Sequence, residues 1–185
     1  YCNIGNSYQA LCQYEKALEY HQKSIGIIEE VLGPKHSNLG VNYFNLAITY
    51  KAKKAFSKAL ANQEKCLAIF AVSLPENHPF HQQALNTWLE IYHDRALDAF
   101  RTKSYAAALQ DFDTLNAYIN YGEIWDYTGL CHYYLSDYSK AVIAYQEAAD
   151  ISPELKKTTF YNNIGMAYAK NQQFEEAYAA FTEYE

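Results

Sequence analysis

Punctuation is scarce in this sequence. Four prolines and seven glycines among 185 residues are too few breakers for a strand-rich fold with many turns, and they favour long helices. Cysteine is sparse as well. Cys2, Cys12, Cys66 and Cys131 show neither CxxC spacing nor the density of a disulfide framework, which fits thiols packed as small hydrophobes in a reducing, cytoplasmic setting. Positive charge does not gather. The net charge is −6, and the densest basic cluster, Lys51, Lys53 and Lys54, falls beside a predicted turn. Nucleic acid is therefore excluded as the main partner. No apolar run is long enough to span a bilayer, so no membrane contact is expected. There is no initiator Met or signal-like start, and both ends fall inside helical pattern. The chain is read as a piece of a longer protein.

What the sequence has in excess is tyrosine, 19 residues against nine Phe and two Trp. Tyr combines apolar area with a polar tip, so it suits elements that are half buried everywhere, as in a stack of repeats. Self-comparison finds the repeat. Tyr1/Tyr43, Asn3/Asn45, Gly5/Ala47, Tyr8/Tyr50, Tyr14/Phe56 and Ala17/Ala59 each lie 42 residues apart, and Leu32-Gly-Pro-Lys-His36 aligns with Leu74-Pro-Glu-Asn-His78 at the same offset. Gly5, Ala47, Gly129 and Gly165 form a small-residue column that lets a first helix approach its partner. Ala17, Ala59, Ala108, Ala141 and Ala177 do the same from the second helix. Such a unit cannot bury its apolar face alone, and stacking on neighbours supplies the core.

Two later units carry the signature at shorter period: Trp125, Gly129, Tyr138, Ala141 and Tyr145, then Tyr161, Gly165, Tyr168, Phe174, Ala177 and Phe181. The third is irregular. Trp88 and Tyr92 follow Leu46 and Tyr50 by 42, yet Tyr105, Ala108 and Phe112 arrive seven residues late. Seven residues are about two helical turns, so this spacing predicts one long helix over about 79–103. The expectation is an all-α solenoid of about five antiparallel helix–turn–helix repeats, a single domain over 1–185. The repeats span approximately 1–34, 37–74, 79–118, 121–152 and 153–185. Pro79 and Ser152-Pro153 suit helix starts, and Asp137 stands where it can cap a helix.

Catalytic patterns are absent. There is no Gly-rich phosphate loop and no Gly-x-Ser-x-Gly. Cys131 and His132 are adjacent, and consecutive helical side chains point about 100° apart. His78, His81 and His93 are spread along one predicted helix, too far apart for joint ligation. No enzyme, metal or cofactor is expected.

These columns resemble the tetratricopeptide repeat over nearly the whole chain, best at Trp125, Gly129, Tyr138, Ala141, Tyr145, Ala148 and Pro153. The first two units are similar to the 42-residue variant of kinesin light chains, with Leu32-Gly33-Pro34-Lys35-His36-Ser37 as its connector. The resemblance implies a right-handed superhelix whose first helices line a concave face that binds extended peptides. On that face it places Asn3, Asn6, Phe44, Asn45, Lys51, Glu90, Tyr127, Tyr133, Asn162 and Asn163. The column Asn3, Asn45, Asn163 offers amide donors and acceptors for a peptide backbone. Its other reading is solvation or bonding to a neighbouring helix, and Thr87 and Tyr127 interrupt it. A chaperone-type carboxylate clamp is rejected. Asn6 and Asn45 match its Asn positions, but Cys2, Gln83 and Thr87 stand where cations are needed. The implied function is a non-catalytic scaffold for a protein or peptide. The alternative is a regulatory array controlling an effector elsewhere in the parent protein. Uncapped ends add a third expectation, self-association.

Overall fold

The computed structural model describes residues 1–152 and 160–183. Among them the regular elements are all α-helices: α1 (Cys2–Ala10), α2 (Tyr14–Leu32), α3 (Ser37–Ala52), α4 (Phe56–Ser73), α5 (Pro79–Arg101), α6 (Tyr105–Asn116), α7 (Gly122–Tyr134), α8 (Tyr138–Ile151), α9 (Tyr161–Lys170) and α10 (Phe174–Glu183). The long third-unit helix is there, beginning at Pro79, where a missing N–H costs nothing. The expected start at Ser152-Pro153 and residues 184–185 lie outside the described residues.

Each first helix ends in the same turn. Cys12, Lys54, Lys103, Ser136 and Gln172 all have positive φ, between 56° and 65°. In the first turn the Gln13 N–H donates to the Tyr8 carbonyl and the Cys12 N–H to that of Gln9. Ala55 and Lys54 repeat the pair onto Tyr50 and Lys51, and Asp137 and Ser136 onto His132 and Tyr133. This is the Schellman arrangement, which satisfies the last carbonyls of a helix and reverses the chain. None of the five residues is glycine.

Measured from that turn, the third hairpin is regular. The five small residues are Gly5, Ala47, Ala96, Gly129 and Gly165; the turn residue follows each by seven and the second-helix alanine by 12. A facing residue follows by 16: His21, Gln63, Phe112, Tyr145 and Phe181. Ala96 is fully buried, so the extra residues precede this hairpin and do not interrupt it. The small residues do the expected work. A Cβ built on Gly5 falls 2.6 Å from the His21 ring, and on Gly129 or Gly165 it falls 2.5 Å from Tyr145 or Phe181.

The chain divides into two compact units, Tyr1–Ile91 and Tyr92–Glu185, with the boundary inside α5. In the first unit, Cys66, Phe70 and Ala84 form a buried cluster against Val41, Tyr43, Phe44 and Leu74. The α3 and α5 starts are capped by histidine: His36 Nδ1 accepts from the Asn38 N–H at 3.1 Å, and His78 Nδ1 from that of Phe80 at 3.2 Å. In the second unit, Ala141, Val142, Tyr145, Ile164, Ala167 and Ala180 pack together. Its aromatic groups interlock: Phe112 stacks on Tyr127 at 5.3 Å, and Tyr105 on Tyr134 at 4.5 Å. Arg95 binds Asp111 through two hydrogen bonds of 2.8 and 2.6 Å, and Asp111 is 4% exposed. Asp137 precedes α8 without a side-chain cap bond and pairs with Lys140 at 2.9 Å.

Candidate functional site

Two of the four thiols are muted by their surroundings. Burial pushes the Cys66 and Cys131 thiols up to about 12, away from nucleophilic thiolate. His132 follows Cys131 in α7 and lies 3.9 Å from Asp137, with its pKa lowered mainly by burial. Among the described residues, no three His, Cys, Asp or Glu side chains come together as a metal site. None of the described helices is long and apolar enough to cross a membrane.

The first-helix face of the first unit is open. Asn3 and Asn6 are exposed on α1, while Phe44 and Asn45 are half buried on α3. The Asn45 amide donates to Cys2 Sγ at 3.3 Å, tying α3 to α1. Lys51 and Glu90 meet at 2.7 Å, bridging α3 and α5. Between α1, α3 and α5 lies a depression of about 170 Å³. Its apolar surface comes from Val41, Phe44, Phe70 and Phe80, and its polar groups are the amides of Asn6, Asn45 and Gln83. Of the residues lining it, Asn6, Phe44 and Asn45 are among those named from the sequence. Val41, Phe70 and Phe80 are not, although an apolar ring directly after Pro79, 40% exposed in the structure, is a signal in itself.

The corresponding helices of the second unit are more self-satisfied. Tyr127 is half buried between Phe112 and Phe100, and Tyr133 packs edge-on against Tyr134 and Tyr138. Asn163 donates to Asp126 at 2.9 Å, and burial raises the Asp126 pKa against that bond. Asn162 is exposed. The asparagine column is thus one exposed side chain and two that bond the preceding first helix. In the third hairpin, counted from Ala96, its place falls to Asp94 and not Thr87, and Thr87 is buried. On the second-helix side, a broader cleft of about 570 Å³ runs between α8, α9 and α10, lined by Ile143, Glu147, Tyr168 and Glu176 among others.

Comparison with known proteins places this geometry. Three models of the tetratricopeptide repeat match residues 1–71, 122–155 and 158–184. The general transcriptional corepressor trfA of Dictyostelium discoideum is 29% identical over 129 residues, covering 69% of this chain and 9% of that protein. The secreted RxLR effector protein RXLR-C07 of Plasmopara halstedii is 36% identical over 64 residues, covering 32% of this chain and 20% of its own. The chain therefore spans a small part of either relative. Among solved structures, MamA superposes with a TM-score of 0.54 at 19% identity, covering 99% of this chain and 87% of that one. YrrB, a TPR protein with an unusual peptide-binding site, superposes with a TM-score of 0.55 at 16% identity, covering 99% and 82%. At these identities the likeness is one of fold.

Proposed function

We propose that this chain, which belongs to the tetratricopeptide-repeat family, is a non-catalytic scaffold holding a peptide or partner domain on its first-helix face. The observation that carries this reading is the depression in the first unit, where amides of α1, α3 and α5 surround an apolar surface. Amides serve any peptide backbone, because each offers a donor and an acceptor. The residues proposed to meet the partner are Asn3, Asn6, Phe44, Asn45, Lys51 and Glu90 in one unit, and Tyr127, Tyr133, Asn162 and Asn163 in the other. Residues 1–185 act as a single repeat array. The four cysteines are unpaired, which supports a reducing compartment, the cytoplasm.

The test pans a random-peptide library against the chain and maps recovered peptides by hydrogen exchange. Protection on α1, α3 and α5, or on α7 and α9, is the expected footprint. Protection confined to second helices, or to the cleft between α8, α9 and α10 without α7, overturns the reading. A second reading, a regulatory array within a longer protein, is supported by the corepressor match, in which the aligned segment is 9% of the whole. Self-association is favoured by the exposed rings of Phe174 and Tyr178 on α10, 68% and 73% accessible. Light scattering over a wide concentration range separates it.

A further inference from the structure

We infer that the depression between α1, α3 and α5 is a socket for one uncharged, apolar side chain from the interior of an extended peptide. This rests on the peptide-holding reading above and names the chemistry of its ligand. The socket has the right size. An apolar cavity of about 150 Å³ accepts a benzene ring, and this depression measures about 170 Å³. Its shape is held from below. Phe70 is 2% exposed, stacks on Phe80 at 5.7 Å and sits where a Cβ on Gly40 would fall 2.5 Å away. That floor is packed before any ligand arrives, so little ordering is required on binding.

Charge decides the occupant. No Lys, Arg, Asp or Glu lines the depression. The charged pair on the same helices, Lys51 and Glu90, is matched internally at 2.7 Å. A carboxylate or ammonium pressed against Phe44 and Phe80 loses its hydration with no counter-charge in return. An apolar side chain loses nothing and buries its surface. The rim then fits the backbone on either side of that anchor. Asn6 and Gln83 are exposed amides, and the bond from Asn45 Nδ2 to Cys2 Sγ leaves the Asn45 side-chain oxygen, Oδ1, to accept a peptide N–H. A terminal carboxylate has no place here, because the three amides bring no positive charge.

The test uses the full chain and the panned peptides. Recovered sequences should share one position occupied by Leu, Ile, Met or Phe. Replacing that residue by Asp in a synthetic peptide should weaken binding by about tenfold or more, and C-terminal amidation should leave it unchanged. Gln83→Trp and Asn6→Trp, both at exposed rim positions, should block the socket and weaken binding similarly while helicity by circular dichroism stays intact. Two rim sites guard against one variant misfolding. A consensus with a charged anchor, a requirement for a free C-terminus, or full affinity in both Trp variants overturns the socket. Peptides that protect the first helices yet ignore the Trp variants refute the socket alone. Recovery of no peptide, or protection only on second helices, refutes the holding face as well.

Discussion

The buried imidazole of His21 should make the first unit acid-sensitive. It is fully buried against Gly5, and among the described residues neither ring nitrogen has a hydrogen-bond partner. Burial pulls its pKa from 6.5 down to about 4. The unfolded chain therefore binds the His21 proton between those values while the folded chain refuses it. Stability from this residue is complete above about pH 6.5 and drains away as pH falls toward 4. At about 1.4 kcal/mol per pH unit, the fall from 6.5 to about 4 amounts to about 3 kcal/mol. His21→Phe removes the effect and should fit, because Phe181 and Tyr145 meet Gly165 and Gly129 at the same hairpin position and approach. Near neutral pH the variant should gain about 1–2 kcal/mol from losing two unsatisfied nitrogens. Near pH 4 its advantage over the parent should widen by about 3 kcal/mol. Urea unfolding across this range measures it, with hydrogen exchange in α1 and α2 assigning the change to the first hairpin. Carboxylate effects are common to both proteins and cancel. An advantage that stays constant with pH would sink the reasoning, as would an NMR titration of His21 near 6.5.

Other outcomes follow from the same packing. Gly129→Ala drives a methyl to 2.5 Å from the buried Tyr145 ring and should cost about 2 kcal/mol in urea unfolding; a neutral effect would mean the helices separate freely. Arg95→Met strands the Asp111 carboxylate, 4% exposed, and should cost about 3 kcal/mol. Adding Asp111→Leu should recover much of that, read by a double-mutant cycle. Ser136→Gly relieves a left-handed residue at φ 65° and should raise stability by about 1 kcal/mol, seen as a higher melting temperature. His36→Ala removes the acceptor for the Asn38 N–H and should cost about 1 kcal/mol of helix start.

The helical hairpins were legible because their signal is periodic and chemical at once. A small residue, a turn and an alanine recur at fixed spacing, and each is demanded by close packing. The third hairpin misled because α5 carries two overlapping patterns. Trp88 and Tyr92 keep the 42-residue register of the preceding hairpin, whereas Ala96 starts the register of α6. The capping role of His36 and His78 was hidden because histidine is not among the usual capping residues. Only their recurrence at the repeat period marked them. Site residues were harder still. Whether Asn45 points at a ligand or at Cys2, and Asn163 at a ligand or at Asp126, depends on partners 43 and 37 residues away. Residue type sets what an amide can bond, and the neighbouring helix sets what it does bond.

The constancy of the left-handed turn has a consequence for how such a chain can change over time. From small residue to turn to alanine to facing residue, every hairpin counts seven, 12 and 16, whatever its other residues. Between hairpins the count is loose: the step from facing residue to next small residue is 26, 33, 17 and 20. A hairpin is therefore a cassette with a closed interior and an elastic joint. Insertions, deletions and duplications that fall in the joints leave every internal contact intact, while one residue added inside a cassette rotates its second helix by about 100°. Lineages of this fold have room to lengthen, shorten and shuffle at the joints, and almost none within.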